Sequence, residues 1–142
     1  MKINIPRVVR PVALSEYAPE FGDQAIQMWV NPPRKVRLEF ADIMDRYREV
    51  LSMIEEAESD DPNLENLAEG IVIIAGELHG WYAQMWSQGE DEWAAEDVKA
   101  FIEAALDTDP GLWDFVQEGC LDAMAAYRRQ KKASSPGPPK SP

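Results

Sequence analysis

Residues 61–89 read DPNLENLAEGIVIIAGELHGWYAQMWSQG, and this stretch decides the fold. Apolar residues recur at steps of three and four from Leu64 to Met85, which predicts an amphipathic helix. Asp61-Pro62 is typical of a helix start, and Ser87-Gln88-Gly89 of a helix end. Over Ile71 to Ala75 the segment is apolar on all sides, so we expect this helix to be the central and most buried one.

Three further segments show the same helical period and complete a predicted bundle of about four helices. One begins at Pro33, one runs from about Ala94 to Leu106, and the last follows Asp109 as N-cap. The residues expected to face inward are Val36, Phe40, Ile43, Tyr47 and Ile54, then Val98, Phe101, Ile102 and Ala105, then Trp113, Val116, Cys120, Met124 and Tyr127. The sequence therefore predicts an all-α fold whose helical domain spans 33–132.

The two ends of the chain do not have a helical pattern. Pro6, Pro11 and Pro19 interrupt residues 1–32, so we expect an extended arm there. Within this arm, Ile3 to Val9 and Ile26 to Val30 are apolar segments that can pair as a small β-hairpin. Residues 133–142 are rich in serine, proline and glycine and are predicted to form a disordered tail.

The chain is strongly acidic, with 26 Asp and Glu against 14 Lys and Arg and a formal net charge of -12. This charge repels phosphate backbones and anionic lipid, so neither nucleic acid nor a membrane is an expected partner. No apolar run approaches the length of a membrane span and no signal-peptide pattern is present, which predicts a cytosolic protein. One alternative uses the same charge: an inhibitor that imitates nucleic acid and occupies a basic cleft of a defence or transcription protein.

Catalytic and metal-binding patterns are missing from the sequence. His79 is the only histidine and Cys120 the only cysteine, which excludes a cysteine-rich zinc site and an intrachain disulfide. There is no glycine-rich phosphate loop and no G-x-S-x-G segment. We therefore expect a protein that is not an enzyme and needs no cofactor or metal. A thiol enzyme that uses Cys120 and His79 is the weakest alternative.

The five tryptophans are the most informative single residues. Trp81 and Trp113 lie on apolar helix stripes and are assigned to the core. Trp86 and Trp93 flank an acidic turn, where they either pin the turn onto the bundle or anchor a partner protein. Trp86, Trp93 and Trp29 are therefore the candidate partner-binding residues.

The order of motifs in the second half of the chain carries a family resemblance. In sequence order the motifs are Gly80-Trp81, WSQGED at 86–91, Glu96-Asp97-Val98 on a helix, and DPGLW at 109–113 opening the last helix. MWVNP at 28–32 leads into a charged helix in a similar way. Over roughly residues 25–130 this arrangement resembles the tail assembly chaperones of long-tailed bacteriophages.

The resemblance implies a function that depends on protein–protein contact. It implies a chaperone in the host cytoplasm that binds the long helical tape measure protein and keeps it soluble. It also implies that the chaperone helps to recruit tail tube protein during tail assembly. Self-association of the chaperone stays open at this point.

Overall fold

Four α-helices follow a two-stranded β-hairpin in residues 2–134, the part of the chain that the computed structural model describes. The elements are β1 Val9–Ala13, β2 Ala25–Trp29, α1 Arg34–Glu56, α2 Leu64–Trp86, α3 Ala95–Thr108 and α4 Pro110–Ser134. The predicted set of four helices is confirmed. The term all-α is too narrow, since the fold is largely helical with a hairpin near its N-terminus.

The hairpin is antiparallel, and its register pairs Val9 with Trp29 and Ala13 with Ala25. The first strand is therefore Val9–Ala13, whereas the sequence pattern favoured Ile3 to Val9. Pro11 lies inside this strand because a two-stranded sheet has only edge strands, where a missing N–H is tolerated. Ile3 lies outside the sheet, and its side chain is 87% exposed.

The hairpin and the helices share one hydrophobic core. From the hairpin and the segments next to it, the core takes Val12, Leu14, Ile26, Met28 and Val30. β1 contacts α4, and β2 contacts both α2 and α4. The closest approach is at Gly119 of α4, where an added Cβ would lie 2.7 Å from Cγ1 of Val12. Residues 1–32 therefore supply core side chains to the helical part of the fold.

The inward-facing stripes predicted for α3 and α4 are confirmed. Val98, Ile102 and Ala105 of α3 are buried, as are Trp113, Val116, Cys120 and Met124 of α4, while Phe101 and Tyr127 pack partly buried against the same core. On α1, Val36 and Ile43 are buried. Phe40 and Tyr47 pack partly buried against the same core, so α1 follows its predicted stripe but has the fewest fully buried residues of the four helices.

The ends of the helices differ from prediction by a few residues. α2 begins at Leu64, because the Asp61 carboxylate accepts the Asn63 N–H at 2.8 Å and closes a turn before the helix. α4 continues to Ser134, so it includes the first two residues, 133 and 134, of the predicted tail. The rest of that predicted tail, residues 135–142, lies outside the described residues. Within 2–134, no helix has both the length and the hydropathy that a membrane span requires.

The first half of α2 is the main departure from prediction. Val72 and Ile73 are 69% and 67% exposed, so the apolar run at 71–75 is not covered on all sides. Of the four helices α2 still has the most buried residues, six in number, as expected. No residue from 44 to 73 is buried, and the buried residues of α2 are Ile74, Trp81, Tyr82, Ala83, Met85 and Trp86. Pairing with α1 covers only one side of the first half, whereas α3, β2 and the Trp113 ring of α4 cover the second half. We call residues 44–73 the α1–α2 arm.

Candidate partner-binding groove

An apolar groove of about 340 Å³ lies where the α1–α2 arm meets the C-terminal half of α3 and the first half of α4. Its lining residues are Ile43, Met44 and Tyr47 of α1, Ile71, Ile74, Ala75, Leu78 and His79 of α2, Ile102 and Leu106 of α3, and Trp113 and Gln117 of α4. No carboxylate, lysine or arginine is among them. All four helices contribute side chains, so the groove exists only in the folded bundle.

The groove has an exposed apolar rim. Leu106 lines it and is 51% exposed. Val72 precedes Ala75 by three residues and His79 by seven, so all three share one face of α2 and Val72 extends that wall outward. Large apolar side chains that adjoin an apolar groove form a contiguous patch, which on soluble proteins marks a binding surface.

His79 adds little charge to the groove. Burial lowers the pKa of the imidazole below its usual 6.5, nearby Lys99 lowers it further, and Glu103 acts in the opposite direction. A histidine with a pKa below 6.5 is neutral at pH 7. The groove therefore offers apolar surface with one neutral imidazole and one amide, a lining suited to an apolar partner.

Trp86 lies in the core and not at the surface. It is 1% exposed, and its ring contacts those of Tyr82, Trp93 and Trp113 at centroid distances of 5.2, 5.0 and 6.5 Å. Its indole N–H is buried without a hydrogen-bond partner of normal geometry. The partner-binding prediction for Trp86 therefore gives way to a core role, because its ring has no surface to offer.

Trp93 is half-buried and holds the acidic turn against the core. Its ring packs edge-on against Trp86, and its backbone N–H donates to the Ser87 hydroxyl oxygen at 2.9 Å. The Ser87 hydroxyl in turn donates to the Ala83 carbonyl at 2.6 Å. Gly89 takes a positive φ of 56° in this turn, a conformation that glycine adopts readily. Of the two roles considered for Trp93, these contacts correspond to the one in which it pins the acidic turn onto the bundle.

Trp29 lies in the hairpin and does not line the groove. Its indole N–H donates to the Asn31 side chain at 2.9 Å, and the Arg7 guanidinium stacks on its ring at 3.9 Å from the centroid. Thus the structure brings Trp86 and Trp93 together and places Trp29 elsewhere, and none of the three lines the apolar groove.

Cys120 has an environment that disfavours nucleophilic chemistry. It is 0% exposed, and burial raises the pKa of its thiol to about 12, against a smaller lowering by the Trp86 side chain. A thiol with this pKa stays protonated at neutral pH, whereas the thiolate is the nucleophile. Among residues 2–134 no group of three or more His, Cys, Asp or Glu side chains is placed to hold a metal ion.

The groove residues were not predicted as a site, although one signal for them was present. Ile71 to Ala75 carries more apolar side chains than one packed face of a helix needs. The surplus, Val72 and Ile73, is the exposed part of this run. An apolar run that extends all round a helix indicates either a central helix or an unfilled binding surface. In the first half of α2 it corresponds to an unfilled surface.

The chain has no match among known proteins that would assign the groove a role. No family model matches it, and no curated protein or solved structure matches it significantly. The features of the molecule that bear on function are therefore the groove, its exposed rim and the distribution of charge.

Proposed function

We propose that this protein is a tail assembly chaperone that holds an apolar helical segment of the phage tape measure protein in the apolar groove. The observation that carries the proposal is an apolar, uncharged groove with exposed Leu106 at its rim and exposed Val72 next to lining residue Ile71 on α2. An amphipathic helix that lays its apolar face into a groove between helices is a common mode of protein recognition.

The shape of the α1–α2 arm supports a helical client. An α-helix with its side chains is about 10–12 Å across, and two or three of its apolar residues at steps of three and four would face the groove. One wall of the groove is formed by Met44, Tyr47, Ile71 and Leu78 of α1 and α2, and the other by Ile102, Leu106 and Trp113 of α3 and α4. The arm has no fully buried residue and packs on the core through Tyr47 and Val50, so it can adjust its position with limited loss of core packing.

The choice of the tape measure protein as client rests on the sequence resemblance. A tape measure protein is long and helical, and its apolar faces are unprotected until the tail tube surrounds it. A chaperone with a net charge of -12 would keep such a complex soluble by mutual repulsion. The same resemblance adds the tail tube protein as a second partner during assembly.

Salt dependence separates this proposal from the alternative of a nucleic-acid mimic. Contacts between apolar surfaces persist as salt rises, whereas binding between a carboxylate surface and a basic cleft weakens steeply. Retention of the client at high salt therefore supports the groove, and loss of the client with each increase in salt supports the mimic.

The direct test is co-expression with a tape measure protein from a long-tailed phage, ideally the one encoded beside this chain. We expect the wild-type chain to make the client soluble and to co-purify with it. Leu106→Asp places a charge on the groove rim and should abolish co-purification. Leu38→Asp is the matched control, because Leu38 is 54% exposed against 51% for Leu106 and does not line the groove.

The matched pair decides the result. If Leu38→Asp and Leu106→Asp retain the client equally well, the groove is not the binding surface and the proposal fails. If only Leu106→Asp loses the client while its thermal unfolding matches that of Leu38→Asp, the groove carries the function.

A further inference from the structure

The charges of this acidic chain are separated along the sequence in an unusual way. Residues 2–15, 24–38 and 123–134 contain no aspartate or glutamate. They contain ten of the 14 lysines and arginines, namely Lys2, Arg7, Arg10, Arg34, Lys35, Arg37, Arg128, Arg129, Lys131 and Lys132. Between residues 49 and 98, by contrast, no lysine or arginine occurs. The net charge of -12 is therefore the sum over basic segments of the chain and a much more acidic segment between them.

The fold brings the three basic segments together. The Arg10 guanidinium of β1 lies 5.7 Å from the ring centroid of Tyr127 on α4. Arg37 of α1 is close enough to Arg128 of α4 to lower the pKa of Arg128, in addition to the effect of burial. We call this surface, formed by β1, the start of α1 and the end of α4, the basic end.

Five cations of the basic end have no ion-pair partner among residues 2–134. They are Arg34, Lys35, Arg37, Arg128 and Arg129. The Arg37 Nε atom is buried without a hydrogen-bond partner. Arg37 and Arg128 are two neighbouring guanidinium groups that repel each other, and an anion from another molecule against their exposed atoms would reduce that repulsion.

The opposite end of α1 carries the complementary charge. Residues 55–65 form the tip of the α1–α2 arm and hold six carboxylates with no lysine or arginine. α1 has 23 residues, so the tip lies about 34 Å from the basic end at 1.5 Å per residue. α1 has the cations Arg34 and Lys35 in its first turn and the anions Glu55 and Glu56 in its last turn. Both arrangements oppose the helix dipole, so helix stability does not explain them.

We infer that copies of this chain associate head to tail, with the acidic tip of one copy against the basic end of the next. The two surfaces lie on opposite ends of α1, so the contact joins two different patches. In a pair of associated copies, one acidic tip and one basic end therefore stay free. Such a contact continues into a chain or ring of copies and does not stop at a symmetric dimer. Nucleic acid fits the basic end less well, because the strongly acidic remainder of the molecule repels a polyanion.

Sedimentation velocity of the full-length protein tests this inference. The Debye length falls from about 30 Å at about 0.01 M salt to about 3 Å at about 1 M salt. We expect species larger than a monomer that grow with concentration at low salt, and monomer alone at high salt. Concentration-independent monomer at low salt would overturn the inference.

Three variants, each with four charges removed, locate the contact. The tip variant carries Glu55→Gln, Glu56→Gln, Glu58→Gln and Asp60→Asn. The basic-end variant carries Arg34→Gln, Lys35→Gln, Arg37→Gln and Arg128→Gln. The control variant removes four carboxylates outside the tip, by Glu16→Gln, Glu20→Gln, Asp107→Asn and Glu118→Gln. The tip variant and the control have the same net charge. We expect the tip and basic-end variants to associate roughly tenfold more weakly than wild type or worse, and the control to associate at least as well as wild type.

Mixing the variants gives the sharpest outcome. The tip variant keeps an intact basic end, and the basic-end variant keeps an intact tip, so an equimolar mixture should form a dimer that grows no further. Failure of the mixture to form a dimer, or equal weakening by the control variant, contradicts head-to-tail contact. A monomeric wild-type protein that binds a labelled single-stranded oligonucleotide through the basic end would also overturn the inference, and would assign that surface to nucleic acid.

Discussion

Substitution of Gly119 by alanine tests how closely the hairpin packs on α4. The new Cβ would lie 2.7 Å from Cγ1 of Val12, about 1 Å closer than a normal contact between carbon atoms. Val12 is short, β-branched and held in β1, so relief requires a shift of the strand. Overpacking of this kind costs about 1–3 kcal/mol, and the higher helix propensity of alanine returns about 1 kcal/mol. We expect a net loss of about 1 kcal/mol in the free energy of unfolding.

Gly76→Ala is the matched control, because Gly76 lies inside α2 and an added Cβ there meets nothing within 4 Å. This substitution should raise the free energy of unfolding by about 0.8–1 kcal/mol through helix propensity alone. The two alanine variants should therefore differ by about 2 kcal/mol in urea titrations followed by tryptophan fluorescence. In a double-mutant cycle, Val12→Ala should couple favourably with Gly119→Ala. Equal stabilisation by both glycine substitutions would refute the packing of β1 on α4.

Three further outcomes follow from the structure. Ser87→Ala should lower the free energy of unfolding by about 1–2 kcal/mol in urea titrations, because the Trp93 N–H loses its acceptor. As a control, substitution of the exposed Ser52 by alanine should change this free energy by less than about 0.5 kcal/mol. Burial raises the pKa of Cys120 from 9.0 to about 12, so the unfolded chain releases this proton first and stability should fall as pH rises above 9.0, less steeply in Cys120→Ala. Val72→Asp should keep wild-type stability but lose the client protein in a pull-down, whereas Ile73→Asp should keep both.

Helical periodicity was sufficient to predict α3 and α4. Each has one apolar stripe, and a single stripe leaves one way to pack the helix, so Val98 and Val116 are buried as predicted. α2 differs because its apolar residues over 71–75 extend beyond a stripe. Periodicity identifies apolar faces but does not reveal how many neighbouring helices are present to cover them. Only the three-dimensional arrangement shows that Val72 stays exposed.

The hairpin register and the groove could not be predicted for related reasons. Pro11 counts against a strand in any local pattern, and its tolerance depends on lying in a sheet with no third strand. The groove combines residues as far apart in sequence as Met44 and Gln117, so no local motif marks it. Three of the tryptophans were predicted as binding residues because tryptophan often anchors partner proteins. In a small core, however, the size of the ring favours burial, as Trp86 shows.

Site-specific photocrosslinking tests most directly whether the groove holds the client. A photoreactive amino acid is placed at Leu106 on the rim or at Leu38 on α1, two exposed leucines of similar exposure. Each variant is then irradiated in the complex with the tape measure protein. We predict a crosslink from position 106 to a helical segment of the client and none from position 38. Crosslinks of equal yield from both positions, or from position 38 alone, would contradict a client held in the apolar groove.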